Sequence, residues 1–288
     1  MTVRVVTDST ADLGPDRARD LGITVVPLSV LFGEEALLDG VEITADQFFR
    51  RLSREPIMPT TAQPSAGAFK AAYEALIAEG ATGIVSCHLS EALSGTLESA
   101  RQGAEGLSVP IIHVNSKQVS LGLGIGVIEA ARAAAAGGTV EEVAAVATDV
   151  FRRTHIIFTL ETLEFLRRGG RMSRGREIMG TLLNVKPILT IQDGLVEPIG
   201  KIRTKQKAIE DIVGRCAELR PVQYTFAVYA TTPDDLAYID DRMRGIAPDA
   251  PFFSGRIGPV IGTHGGPGTV GIGVVTSPDE HSPAFLPK

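Results

Sequence analysis

The chain has 288 residues, 44% hydrophobic and 22% charged, with a formal net charge of -6. The acidic balance excludes a general nucleic-acid binder, whose footprint is basic, and 5% aromatics without tryptophan leave few platforms for stacking bases or sugars. Two distant cysteines, Cys87 and Cys216, exclude a disulfide framework and a zinc pattern.

The length favours two domains over one core. The chain opens on strand-like Val3-Arg4-Val5-Val6 without a signal-peptide pattern, and no apolar run is long enough to span a bilayer. A cytoplasmic protein without an integral membrane segment is the expectation. In chain order, residues 3–7 read as a strand, and Asp8-Ser9-Thr10-Ala11-Asp12-Leu13 turns into a helix ending near Leu21-Gly22. Residues 23–32 are a second apolar run. Thr44-Ala45-Asp46-Gln47 has capping-box spacing. Residues 59–65 read as a polar loop ending on an N-cap, Ser65, and Phe69, Ala72, Tyr73, Leu76 and Ile77 form one apolar helical stripe that Gly80 stops. A buried strand over 83–89, a helix after Ser94, a strand over 109–114 and helices over 119–136 and 140–153 follow. This alternation predicts βαβ units and a mostly parallel sheet with flanking helices.

The pattern changes near His155. Strands are expected over 155–160, 187–192, 195–202, 223–231 and 270–275, with Asp193-Gly194 a strong hairpin signal. Helices are expected over 161–168, 204–219 and 233–244. The organisation predicted is an α/β fold in two domains. Residues 1–154 form a mostly parallel α/β domain, and residues 155–288 an α+β domain with a mixed or antiparallel sheet.

Four segments carry chemistry. Ser94-Gly95-Thr96 leaves a strand and enters a helix, where free backbone N–H groups, hydroxyls and the positive helix end suit a small anion; the plainer alternative is that Ser94 only caps the helix. Thr60-Thr61 is a hydroxyl pair held between prolines, suited to a ligand or simply a pre-helix loop. Gly169-Gly170-Arg171 joins a helix stop to a planar fork of donors for a carboxylate or phosphate. Residues 258–268 hold five glycines and two prolines around His264, which reads as a loop built for close backbone approach. Gly122-Leu123-Gly124-Ile125-Gly126 fails as a dinucleotide fingerprint because Val127 stands where the third glycine belongs, and Gly200-Lys201-Ile202 fails as a P-loop. The five histidines show no metal-ligand spacing. From Arg167 to Lys207 ten Lys/Arg stand against three acids, a surplus of seven that reads as a solvated face or a docking surface for an acidic partner.

The order of motifs 7–13, 59–65, Leu93-Ser94-Gly95-Thr96, 163–171, 183–189 and 258–264 closely resembles the DegV family, the fatty-acid-binding subunits of bacterial fatty-acid kinase. Departures are small: Ala62 stands where Ser is common, and Gly265 where Thr or Asn-like residues often sit. The resemblance implies two α/β domains with a long-chain fatty acid held by its carboxylate at their junction and its tail in the second. It implies that Thr61 and Ser94, with Gly95 in the same turn, bind the carboxylate, with Arg171 and His264 close by. It also implies a separate kinase catalytic subunit, which would dock on the basic 167–207 region and convert the acid to acyl-phosphate for phospholipid synthesis. No catalytic residue, cofactor or metal is expected in the chain itself. The alternatives are a serine-type lipid hydrolase using Ser94 and His264 with an acid such as Asp8, and a small-anion sensor without a lipid tail.

Overall fold

The computed structural model describes residues 2–172 and 185–283. Leu183 and Asn184 of the 183–189 motif lie outside the described residues, as do Arg174, Arg176 and Glu177 of the basic segment. Strand β1 (Val3–Asp8) ends in a 3-10 turn, Ser9–Ala11, where the Asp8 side chain accepts the Thr10 N–H. Helix α1 (Pro15–Asp20) carries its proline in the first turn, where no intrahelical N–H is required, and leads into β2 (Ile23–Val26). The apolar run 23–32 is therefore not one strand. Pro27 supplies no N–H to a ladder, and beyond it the chain forms a hairpin, β3 (Ser29–Phe32) with β4 (Glu35–Leu38).

Helix α2 (Ala45–Arg54) starts on the expected capping box of Thr44 and Gln47. Residues 59–65 are not the expected loop throughout: β5 (Thr60–Ala62) pairs antiparallel with β3 and puts Thr61 opposite Val30. The edge of β3 satisfies backbone groups there, a partner that the local polar sequence does not announce. Ser65 caps α3 (Ala66–Ala78), which buries Phe69, Tyr73 and Leu76. Then come β6 (Gly83–His88), α4 (Thr96–Gly103), β7 (Ile111–Asn115), α5 (Leu121–Ala135) and α6 (Val140–Arg153). Four of these strands make a fully parallel sheet in the order β2-β1-β6-β7. Its faces pack on α5 and α6 on one side and on α3 and α4 on the other. The glycines of α5 serve this packing. A Cβ on Gly124 would lie 2.6 Å from the Ala11 carbonyl, and one on Gly126 would overlap the Phe151 ring.

Strands β8 (Thr154–Thr159), β9 (Lys186–Gln192), β10 (Leu195–Ile202), β11 (Val222–Tyr229), β12 (Phe252–Arg256) and β13 (Val270–Thr276) form a second sheet, ordered β10-β9-β8-β13-β11-β12. Every pair is antiparallel except β11 with β12. Asp193 and Gly194 take positive φ, 50° and 82°, as the two-residue hairpin between β9 and β10 requires, and the register shifts between Pro198 and Gly200. With this sheet go α7 (Glu164–Gly169), α8 (Lys205–Ala217), α9 (Asp235–Ile246) and α10 (Pro259–Gly265). Ile157, Ile188, Ile272 and Val274 pack on α8 and α9. The opposite face carries Ile156, Phe158, Ile191, Val196 and Val228.

Helix α10 replaces most of the glycine-rich loop expected over 258–268. Pro259 fits its first turn, and Gly262 admits the rings of Phe48 and Phe49, each 2.8 Å from where a Cβ would stand. Two buried carboxyls hold its start. Asp12 accepts from the Gly258 N–H (2.9 Å) and from Ser120 Oγ (2.5 Å), and Asp39 pairs with Ser9 and the Val260 N–H. Burial pushes Asp39 up to about 7 and Asp12 well above the carboxylate range.

Two outcomes are expected. Gly126→Ala forces the Phe151 ring aside and costs about 1–3 kcal/mol in denaturant unfolding; an unchanged midpoint would show that the α5–α6 contact yields freely. For Asp39, the folded state keeps a proton that the unfolded chain releases near its ordinary value of 3.8. Its contribution to stability is full below that value and is lost as pH rises to about 7. Thermal melts should therefore show wild type falling relative to Asp39→Asn between roughly pH 4 and pH 7, whereas parallel curves would place the Asp39 carboxyl in its normal range.

Candidate functional site

A cavity of about 370 Å³ lies against the face of the six-stranded sheet that the helices α8 and α9 leave open. Ile156, Phe158, Ile191, Val196 and Val228 form its floor, and Val260 and Ile261 of α10 and Leu166 of α7 close over it. The first half also contributes walls, through Leu28, Leu89, Leu93 and Val119. The cavity thus lies between residues drawn from both halves of the chain.

Polar groups gather at one rim. Strand β5 presents Thr61, whose Oγ1 lies 2.9 Å from His264 Nε2 across 203 positions of sequence. His264 sits in the last turn of α10, and a Cβ on Gly169 would overlap its Nδ1, so the glycine that ends α7 is what lets the ring in. Gly170 follows in left-handed conformation, φ 66°, and turns the chain so that Arg171 crosses to the other half. There Arg171 Nε donates to the Leu93 carbonyl (3.2 Å) and a terminal guanidinium nitrogen to the Gly169 carbonyl (2.7 Å). Ser94 follows Leu93 directly. Its Oγ lies 2.9 Å from Thr96 Oγ1, and its N–H donates to the Ser90 carbonyl.

Thr61, Ser94, Arg171 and His264 all line the cavity. Gly95 stands behind them as the N-cap of α4, so Ser94 is not the cap. Gly95 touches Gln63 instead, whose side-chain amide occupies the space of the missing Cβ. Gln63 is a cavity residue that the sequence reading missed. It donates to Ser99 Oγ at 2.9 Å, and its place in the same proline-bracketed segment as Thr61 was the available signal.

Among the described residues, the electrostatics of the rim rest on one cation, Arg171. Burial, with Arg171 nearby, holds His264 down to about 4, so the ring is neutral at physiological pH. Nδ1 is buried without a hydrogen-bond partner among the described residues, so the ring proton belongs on Nε2, facing Thr61. Thr61 then accepts from His264 and keeps its own hydroxyl hydrogen for a ligand.

The hydrolase arrangement is not formed. Asp8 does not face His264: its Oδ2 takes His88 Nδ1 at 3.0 Å, and His88 Nε2 lies 2.7 Å from Ser86 Oγ. Ser86, His88 and Asp8 have the order of a catalytic triad but are fully buried, and Tyr73 OH occupies Ser86 at 2.8 Å. His264 is engaged with Thr61 and Ser94 with Thr96, which leaves no serine–histidine pair at the rim among the described residues. Of the basic segment, Lys186 pairs with Glu161, Arg168 with Glu164 and Lys205 with Asp235. Among the described residues no cluster of His, Cys, Asp or Glu is arranged to hold a metal, and no helix is long and apolar enough to cross a membrane.

Comparison with known proteins bears on the family and the fold. A family model described as "Uncharacterised protein, DegV family" matches residues 2–277. A DegV domain-containing protein of Streptomyces coelicolor is 40% identical over 96% of this chain and 98% of its own, and one of Halalkalibacterium halodurans is 35% identical over 94% and 97%. A DegV family protein from Thermus thermophilus, whose structure is described as showing fatty acid binding, superposes with TM-score 0.88 at 34% identity, covering 96% of this chain and all of that one. DegV from Bacillus subtilis, described as a fatty acid binding protein, superposes with TM-score 0.86 at 30% identity over 96% and 99%. The sequence and the fold lead to one assignment: the chain belongs to the DegV family.

Proposed function

We propose that the protein binds a long-chain fatty acid and presents its carboxylate to a separate kinase subunit, which phosphorylates it to an acyl-phosphate for phospholipid synthesis. The observation that carries this reading is one cavity with an apolar floor and a rim where Thr61, Ser94, Arg171 and His264 converge. The fatty-acid binding described for the Thermus thermophilus and Bacillus subtilis relatives supports it. In this reading residues 1–154 supply the carboxylate loops, and residues 155–288 supply most of the acyl site and work in the cytoplasm without catalysing the transfer.

The physics divides the ligand in two. Each methylene taken from water contributes about 0.8 kcal/mol, so the tail provides most of the gross binding free energy. The Thr61 and Ser94 hydroxyls donate to the carboxylate and Arg171 balances its charge from the rim. In the transfer a carboxylate oxygen attacks the γ-phosphorus of ATP, and ADP departs. Neutral hydroxyl donors tolerate the added charge of the product. The kinase has to reach the rim, and the basic residues between 167 and 207 are the docking surface this reading assigns to it.

The reading is tested by mass spectrometry of lipid extracted from the purified protein and by acyl-phosphate formation on adding a kinase subunit and ATP. Absence of a bound or bindable fatty acid overturns it. Ser94→Ala and Thr61→Ala each remove a hydrogen bond to a charged group, worth about 1.5–3 kcal/mol. Both should weaken fatty-acid binding by that amount and leave the methyl ester nearly unaffected, and equal losses for acid and ester would place the carboxylate elsewhere. His264 has an ordinary value of 6.5, lowered to about 4 in the fold. As pH falls through that window the unfolded chain takes a proton that the folded ring refuses, and stability is lost. On acidification across it, wild type should lose more thermal stability than His264→Asn; identical slopes would mean that the ring protonates freely in the fold.

A further inference from the structure

The turn that carries Ser94 is tied down by a residue outside the cavity. Ser90 is 1% exposed and does not line the cavity, whereas Leu89, Leu93 and Ser94 around it do. Its carbonyl accepts from the Leu93 N–H (3.0 Å) and the Ser94 N–H (3.2 Å). Its hydroxyl donates to the Gly194 carbonyl at 2.7 Å, and the same oxygen accepts from the Ala92 N–H at 3.3 Å. A carbonyl can only accept, so the direction of the Gly194 bond is fixed. One buried side chain therefore joins the Ser94 turn to the tip of the β9–β10 hairpin, 104 positions along the chain. The hairpin tip is shaped for this approach. Gly194 takes φ 82°, and a Cβ there would overlap Ser90 Oγ. The strands that meet at Gly194 carry Ile191 and Val196 of the cavity floor. The neighbouring Lys117–Asp193 pair, 4.0 Å apart and largely exposed, adds little to the junction.

We infer that Ser90 is a positioning residue for the head-group site, holding the Ser94 hydroxyl in register with the acyl floor through its bond to Gly194. This inference rests on the fatty-acid reading above and deepens it, naming the contact that joins the carboxylate turn to the wall of the tail site. Ser90 touches no ligand and acts through Ser94. Ser90→Ala deletes both side-chain bonds and leaves the backbone bonds of the turn in place. The turn then keeps its shape and loses its fixed distance from the hairpin. Gly194→Ala breaks the same bond from the other half of the chain, because the added methyl group takes the place of the Ser90 oxygen. Either change misaligns a donor to the carboxylate and leaves the apolar floor lined by the same side chains.

The test titrates wild type, Ser90→Ala, Ser94→Ala and the double variant, each stripped of bound lipid, with hexadecanoic acid and with its methyl ester. Ser90→Ala should weaken binding of the acid by roughly threefold to tenfold, a part of what a hydrogen bond to a charged group supplies, and leave the ester nearly unchanged. In the Ser94→Ala background the same change should add little, since the two residues act as one unit. Gly194→Ala should give the same acid-selective loss and serves in its place if Ser90→Ala does not fold. Unchanged acid binding, equal losses for acid and ester, or a loss that adds in full to that of Ser94→Ala overturns the inference and leaves the fatty-acid reading standing. No binding of either ligand by wild type overturns both.

Discussion

Helix α10 is held at its two ends by different chemistry, and the binding rim depends on that. Its first residues give their N–H groups to Asp12 and Asp39, carboxyls buried in the first half of the chain. Its last turn carries His264 to within 2.9 Å of Thr61, also from the first half. A seven-residue helix with two glycines has little stability of its own, so packing against Phe48 and Phe49 and the two carboxyl anchors decide where His264 stands. The cavity is the space that remains once α10 is fixed above the sheet.

Among the described residues, the rim combines a single guanidinium with neutral donors. Arg171 is bonded to the Leu93 and Gly169 carbonyls, so its charge is tied to the two loops that flank the opening. The neutral His264 adds orientation without a second positive charge. A carboxylate placed there meets enough charge to be held and no buried ion pair to be trapped in.

Much of the fold was legible because its signals are local. The capping box at Thr44 and the Asp193-Gly194 turn are formed as read. The misses are segments whose partners lie far off in sequence. Thr60–Ala62 is a strand only because β3 offers an edge, and residues 259–265 are helical although they hold two glycines, with aromatic rings from α2 packed beside Gly262. At the site, the residue types at Thr61, Ser94, Arg171 and His264 could be picked out by their glycine, proline and hydroxyl surroundings. The Thr61–His264 bond, the role of Gly95 as a seat for Gln63, and the capture of Asp8 by His88 depend on tertiary placement and have no local signature.

The six-stranded sheet leaves β10 and β12 as its two margins. On β10, Pro198 brings no N–H to the ladder and the register slips just beyond it, before Gly200. An incoming strand from another molecule would find a kinked and chemically incomplete template there. That margin is thereby a poor template for edge-to-edge polymerisation, and along it Met172 already bridges to Val196.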